Sequence, residues 1–500
     1  MNHSEPSGLR ALFRPIDLTQ GPCWKTVLRF SFPIILSYLL QQVYSISDAA
    51  IVGQTLSSEE VAGVNDTTSI VYVFLQFAFG VSAGFCVITS CNVGSHDRPG
   101  VRRSLATQIV LSSALTVLLT ALALALALLN PMLAWINVTP ESGTVYTAAY
   151  TYCAIIFAGI GAQLFYNFIC SFLRAMGDSV TPLAFLLFST ILNVGLDLLF
   201  IISFHWGVAG AAIATVLAQL ISTVACFVYT FARYPELRLH RADFAITKSD
   251  ITQHIAQGIP LGLQFSVLSI GVITMQSVVV RFDMQSGVIV SNAAQNGFGA
   301  ASKLNNLTMT PLNAFGTALT SFTAQNLGAG RHDRIRSGAI QSAVIMTALA
   351  LLSAGTGLLL SIGDTYFHIF LSADKVTPDT IRYGNSILYV DYAMYCFLGL
   401  IFLMRNCDQG IGKAQFTLGA GAAELVARIA VSTFLPAAVA GGAVHAGSSP
   451  LAFYALCAAD PAAWIAADIV LCIPFIRHIL RCDYRYLYGE HHRGKAARAS

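Results

Sequence analysis

From Lys25 almost to Arg477 the chain alternates long apolar runs with short polar breaks. Most of the runs exceed the roughly 20 residues that cross a bilayer as a helix. They lie at 25–52, 62–90, 104–130, 144–172, 180–203, 207–231, 250–281, 287–324, 338–362, 380–404, 414–440 and 450–476. This pattern predicts about twelve transmembrane helices, because in lipid only a helix or a closed barrel pairs all of its own backbone groups.

Composition agrees. Of the 500 residues 55% are hydrophobic and only 11% charged, whereas a soluble domain is about one quarter charged. No stretch reads as a separate soluble domain, and nothing suggests nucleic-acid binding. The first run lacks the short apolar core and small-residue cleavage site of a removable signal, so it is expected to remain as helix one. The eleven cysteines sit mostly singly in apolar spans without a CxxC pair, and read as small core residues rather than metal ligands or redox centres.

The placement of charge predicts orientation. Arg98, Arg102 and Arg103 share one loop, Arg233, Arg238, Arg241 and Lys248 a second, and Arg331, Arg334 and Arg336 a third; Arg477, Arg481, Arg485, Arg493, Lys495 and Arg498 crowd the tail. All follow even-numbered spans, while odd loops carry Glu59, Glu60, Glu141 and Asp283. The positive-inside rule then places both termini in the cytoplasm, in a cell (inner) membrane.

The two halves echo each other at an offset of about 230 residues. "FPIIL" at Pro33 returns as "IPLGL" at Pro260, "NVGSHDRPGVRRS" (92–104) as "NLGAGRHDRIRSG" (326–338), and "FLRAMGDSVTP" (172–182) as "FLMRNCDQGIGKAQF" (402–416). The expected fold is an all-α integral membrane protein, with about twelve transmembrane helices in two pseudo-symmetric six-helix bundles around a central cavity. Its parts would be a cytoplasmic tail (1–24), an N-lobe (25–231), a basic linker (232–249), a C-lobe (250–478) and a basic tail (479–500). Parallel repeats of this kind build transporters whose halves rock about a central site.

Three spans carry polar pairs four residues apart, and hence on one helix face. They are Tyr44 and Asp48 with Gln41 a turn earlier, Asn193 and Asp197 with Ser189, and Thr215 and Gln219. A carboxylate at the centre of a membrane helix costs about 2.5–3.5 kcal/mol. Two that meet in a low-dielectric recess cannot easily both stay ionised; one takes a proton or a cation sits between them. The oxygens of Asn193 and Thr215 suit a hard cation such as sodium. In the second half Glu424 and Arg428 are four apart and neutralise each other or face substrate. Lys303 lines a cavity or pairs with an acid; Asp391, at the start of the tenth span, is expected at the outer surface, and Asp468 as a packing residue. Gln41, Gln264, Lys303, Glu424 and Arg428 make up the candidate substrate cavity.

The proline-initiated first span leading to "SDAAIVGQ", the "NVGSHD" and "NLGAGRHD" loops, and "LRAMGDSVTP" followed by "NVGLDLLF" resemble the multidrug and toxic compound extrusion (MATE) transporters. The resemblance runs from about residue 25 to 478. It implies a secondary active exporter of amphipathic, cationic organic compounds, driven by inward protons or sodium ions, with no cofactor. In the branch coupled through its N-lobe, it implies a proton or Na+ site at Asp48, Asn193, Asp197 and Thr215 with Tyr44 alongside. The norfloxacin-pump branch uses an acid in the seventh helix, which "GIPLGLQFSVLSIGV" lacks. A flippase for a lipid-linked precursor would need more basic residues than Lys303 and Arg428. A membrane-embedded enzyme would need a nucleophile or metal set that the scattered His254, His368 and His445 do not form. The expected partners are a small organic substrate and the bilayer, and the expected state is a monomer.

Overall fold

The computed structural model describes residues 15–128 and 140–481. The end of the third span, the first fourteen residues and most of the basic C-terminal tail lie outside the described residues. The described residues are all-α apart from one small hairpin. Its helices are α1 (Cys23–Thr55), α2 (Ser58–Gly94), α3 (Arg98–Leu128), α4 (Thr144–Ala158), α5 (Ile160–Ala175), α6 (Val180–Asp197), α7 (Gly207–Arg233), α8 (Lys248–Arg281) and α9 (Ala293–Gly328). There follow α10 (His332–Leu360), the short α11 (Thr365–Phe370), α12 (Pro378–Ala393), α13 (Tyr395–Gly410), α14 (Ala414–Ala440), α15 (Pro450–Cys457) and α16 (Ala459–Pro474).

Nine helical stretches among the described residues are long and apolar enough to span a membrane, and eleven when two bent pairs are each counted as one span. The twelfth expected span, α9, is 36 residues long but rich in Asn, Thr, Gly and Ala. Twenty-one of its residues are buried, so it is shielded by protein and does not need the apolar surface that lipid demands of the others.

Two expected spans are broken. α4 and α5 meet at Gly159 with a 46° bend, and α12 and α13 meet at Met394 with a 56° bend. A Cβ on Gly159 would collide with the Val216 side chain of α7, so glycine permits both the bend and the close approach.

By their contacts the described residues divide into two units: those within 15–17 and 30–270, and those within 18–29 and 271–481. The basic linker 232–249 lies within the first unit, and α1 and α8 each change unit along their length. In the first unit α2 packs on α4 and α5, α6 on α7, and α7 on α4 and α5. In the second, α9 packs on α10, α12 and α13, and α14 on α15 and α16.

The sequence echo is also an echo of backbone. After α5 the Gly177 N–H donates to Arg174 O (3.0 Å) and the Asp178 N–H to Leu173 O (2.9 Å); after α13 Gly412 donates to Gln409 O (2.9 Å) and Lys413 to Asp408 O (2.9 Å). Gly177 and Gly412 both take positive φ, 87° and 79°, as helix-terminating glycines do. The loops after α2 and α9 match likewise. His96 (φ 56°) donates to Val93 O and Asp97 to Asn92 O; Gly330 (φ 68°) donates to Leu327 O and Arg331 to Asn326 O.

Candidate functional site

In the first unit, α1, α6 and α7 bring together the polar residues singled out from sequence. Asn193 and Asp197 are fully buried one turn apart on α6. Asp197 is the last α-helical residue before a π-helical turn, Leu198–Ser203, an irregularity that often marks functional sites. Asp48 on α1 lies near enough to Asp197, Tyr44 and Tyr152 for its charge to act on each of them. Tyr44, one turn before Asp48, lies beside Thr215 of α7.

The cluster's hydrogen bonding is largely unmet, as is that of the buried carboxylates of Asp408 and Asp468 in the second unit. The amide nitrogen and oxygen of Asn193, both carboxylate oxygens of Asp197 and Oδ1 of Asp48 are buried and make no hydrogen bond with any described residue. Almost all buried polar groups find a partner, so five orphaned atoms in one cluster require explanation. Four of the five are acceptors. The group these oxygens fit is a proton or a hard cation, not a soft metal that would call for Cys or His.

The expected substrate residues fare differently. Gln41 is exposed on α1, and Gln264 is fully buried. Lys303 is exposed on α9 with its ammonium 5.5 Å from the centroid of the Phe370 ring, and pairs with no described acid. Glu424 and Arg428 do pair, at 3.2 Å, but within a larger buried cluster. Arg405 donates to the other oxygen of Glu424 at 2.9 Å, and Arg428 donates to Asp460 at 2.7 Å.

Asp391 is not at a surface, as its position near the start of a span suggested. It is fully buried and accepts a hydrogen bond from the Asn305 amide at 2.6 Å. The break at Met394 accounts for this, because it ends α12 in mid-span and leaves Asp391 in its last turn.

Sequence reasoning missed Tyr152, which lies beside the acids, and the roles of Arg405 and Asp460. A lone acid such as Asp460 within an apolar span was a legible signal for a buried ion pair. Tyr152 gave none, since an aromatic in a membrane helix is ordinarily packing.

A bundle of spanning helices enclosing unpaired acids is the construction of a transporter. The profile of the MatE family matches residues 33–199 and 289–434, more than half of the sequence, and the chain belongs to that family of multidrug efflux transporters, not to an enzyme class. It is 29% identical to the probable multidrug resistance protein YpnP of Bacillus subtilis, over 79% of this chain and 84% of that protein. It is 23% identical to the probable multidrug resistance protein NorM of Thermotoga maritima, over 78% of this chain and 80% of that one. Its fold resembles a solved outward-facing multidrug resistance MATE transporter of the MOP superfamily, with a TM-score of 0.80 at 20% identity, covering 92% of this chain and 96% of the other.

Proposed function

We propose that the protein is a secondary active exporter that carries amphipathic, cationic organic compounds out of the cell in exchange for an inward proton or sodium ion held by Asp48, Asn193, Asp197 and Thr215, with Tyr44 alongside. The observation that carries this reading is the set of buried, unpaired acceptor atoms of Asp48, Asn193 and Asp197 in the first unit. Two buried carboxylates whose charges act on each other repel when both are ionised. Binding one positive charge relieves that repulsion. Arrival and departure of the ion therefore favour different arrangements of α1, and the substrate is coupled to the ion through the states each prefers.

The names of the relatives, multidrug resistance proteins, support small organic substrates. The basic loops support cytoplasmic termini in the cell membrane, and a single chain carries every part of the proposed site. A phosphate-bearing lipid precursor is a poorer substrate, because Arg428 is already held by two acids. One elementary charge moving through 100 mV supplies about 2.3 kcal/mol, and about 1.4 kcal/mol corresponds to tenfold in concentration, so a net inward charge sustains a gradient of some tens-fold. One-for-one exchange of a proton against a monovalent cation moves no net charge and draws on the pH gradient alone. The test is accumulation of a fluorescent cationic dye by cells producing the protein or its Asp48→Asn variant at equal membrane levels. The reading expects lower accumulation with the wild type only; equal accumulation in both would contradict it.

A further inference from the structure

A second polar cluster of the first unit sits where the start of α8 meets α2 and α3. His254 of α8, Ser104 and Gln108 of α3, and Cys86 and Thr89 of α2 are all buried. Each is joined to the next by an observed contact. His254 Nδ1 lies 2.7 Å from Asp250 O, its Nε2 lies 2.9 Å from Ser104 Oγ, and Ser104 Oγ lies 2.9 Å from Thr89 Oγ1. The Gln108 amide donates to Thr89 Oγ1 at 2.7 Å and to Ser104 Oγ at 3.0 Å, and its oxygen accepts from the Cys86 thiol at 3.3 Å.

The proton positions follow from these contacts. A backbone carbonyl only accepts, so Nδ1 carries the ring proton; in the neutral ring Nε2 is then the acceptor and Ser104 the donor. With its one proton given to His254, the Ser104 oxygen takes the Thr89 hydroxyl and the Gln108 amide on its two lone pairs. The cluster is thus satisfied around a neutral imidazole, and a second ring proton at Nε2 would face an oxygen whose lone pairs are both taken.

No carboxylate compensates for that proton. Among the described residues the charged group whose field reaches the ring is Asp250, one turn earlier on α8, and its carboxylate is engaged by the Thr247 N–H and hydroxyl. From α2 the titratable neighbour is the Cys86 thiol, with the Phe85 ring edge-on to the imidazole at 5.9 Å. On α3, Arg102 is paired with Asp243 and Arg103 is exposed; from α5 the buried Arg174 acts on Cys86 and adds a like charge.

The cluster holds a helix that changes unit along its length. The first half of α8 is seated closely on α2, since a Cβ on Gly84 would collide with the Gln257 carbonyl and one on Gly258 with the Phe85 ring. The bond from Ser104 to His254 ties the same stretch to α3. We infer that His254 is a pH switch on the basic-loop side of the first unit: neutral, it fastens the start of α8 to α3, and protonated, it parts from Ser104 and frees that start, which slows transport when the cytoplasm turns acid. Histidine is the side chain whose charge ordinarily changes between about pH 5 and 8. The neutral form is the tied one, so the tie is complete at the alkaline end and is lost toward the acid end. The switch stands on these contacts, whereas its effect on transport rests on the proposed function.

The experiment uses the full chain in lipid nanodiscs and in vesicles, as wild type, as His254→Gln, whose side-chain oxygen accepts from Ser104 without titrating, and as Ser104→Ala, which removes the donor. Amide hydrogen exchange of 250–258, corrected for its intrinsic pH dependence, should be slow at pH 7.5 and at least tenfold faster at pH 5 in the wild type. It should stay slow at both values in His254→Gln and be fast already at pH 7.5 in Ser104→Ala. Exchange of a labelled cationic dye, at equal pH on both sides, should be at least threefold slower at pH 5 in the wild type than in His254→Gln. Titration of Asp48 and Asp197 is common to both proteins, so their difference isolates His254. Equal amide exchange in wild type and His254→Gln at pH 5, or slow exchange in Ser104→Ala at pH 7.5, would overturn the switch. Acid opening with equal dye exchange in the two would overturn its effect on transport. Absence of dye exchange by every protein at pH 7.5 would count against the exporter, and amide exchange would still decide the switch.

Discussion

Glu424 offers a quantitative check on how the second unit is held together. It is 6% exposed, and its two oxygens take hydrogen bonds from Arg405 at 2.9 Å and from Arg428 at 3.2 Å. Arg428 keeps Asp460 when Glu424 is replaced, but two buried guanidinium groups then share fewer acids. At a charge separation of about 4 Å and an effective permittivity of about 20, each contact is worth about 4 kcal/mol before desolvation is counted. Removing one partner of a buried pair typically destabilises by about 3–5 kcal/mol, whereas replacing both partners by apolar residues is often neutral. Glu424→Leu should therefore lower the equilibrium ratio of folded to unfolded protein more than a hundredfold, and Glu424→Leu with Arg405→Leu should recover much of the loss. Unfolding of the micelle-solubilised protein by titrated denaturing detergent measures both. A single variant as stable as wild type, or a double variant no better than the single, would refute the reasoning.

Three further outcomes follow from local geometry. Gly159→Ala should destabilise the protein by about 1–3 kcal/mol, the usual penalty of overpacking, and Val216→Ala in the same chain should restore part of it, read as paired shifts in melting temperature. Asp178→Ala should cost about 2–4 kcal/mol, because Val180 N, Thr181 N and the Thr181 and Tyr234 hydroxyls all donate to that carboxylate; Asp178→Asn should cost less. Asp243 accepts from the His240 backbone nitrogen at 2.8 Å and from Arg102 at 3.3 Å, and these contacts hold its carboxyl below the ordinary carboxylate value. Its contribution is complete above the unfolded value of about 3.9 and is lost only as pH falls through the lower folded value. Hydrogen exchange in 238–245 should thus stay protected from pH 7 to about pH 4 and rise below it, and opening well above pH 4 would contradict this.

Much of the fold was legible because membrane burial writes itself into sequence. Lipid requires long apolar helices, and the duplicated loops with Gly177 and Gly412 repeat because a left-handed turn at a helix end favours glycine. The breaks at Gly159 and Met394 were not legible as bends, since hydropathy is continuous across both. The α9 span was found by length even though its polarity resembles a loop, a consequence of its burial inside protein. The pairs at Tyr44 and Asp48, Asn193 and Asp197, and Thr215 and Gln219 were visible from four-residue spacing alone. Asp391 was misplaced and Asp460 passed over because the partners of a buried acid depend on which helices meet, which spacing along one helix does not encode.

The most direct measurement is substrate transport by reconstituted vesicles under a pH gradient and a sodium gradient imposed separately, for wild type, Asp48→Asn and Asp197→Asn. The account predicts that at least one gradient drives the wild type and that neither drives either variant. Wild-type transport rates in both variants under the same gradient would contradict it.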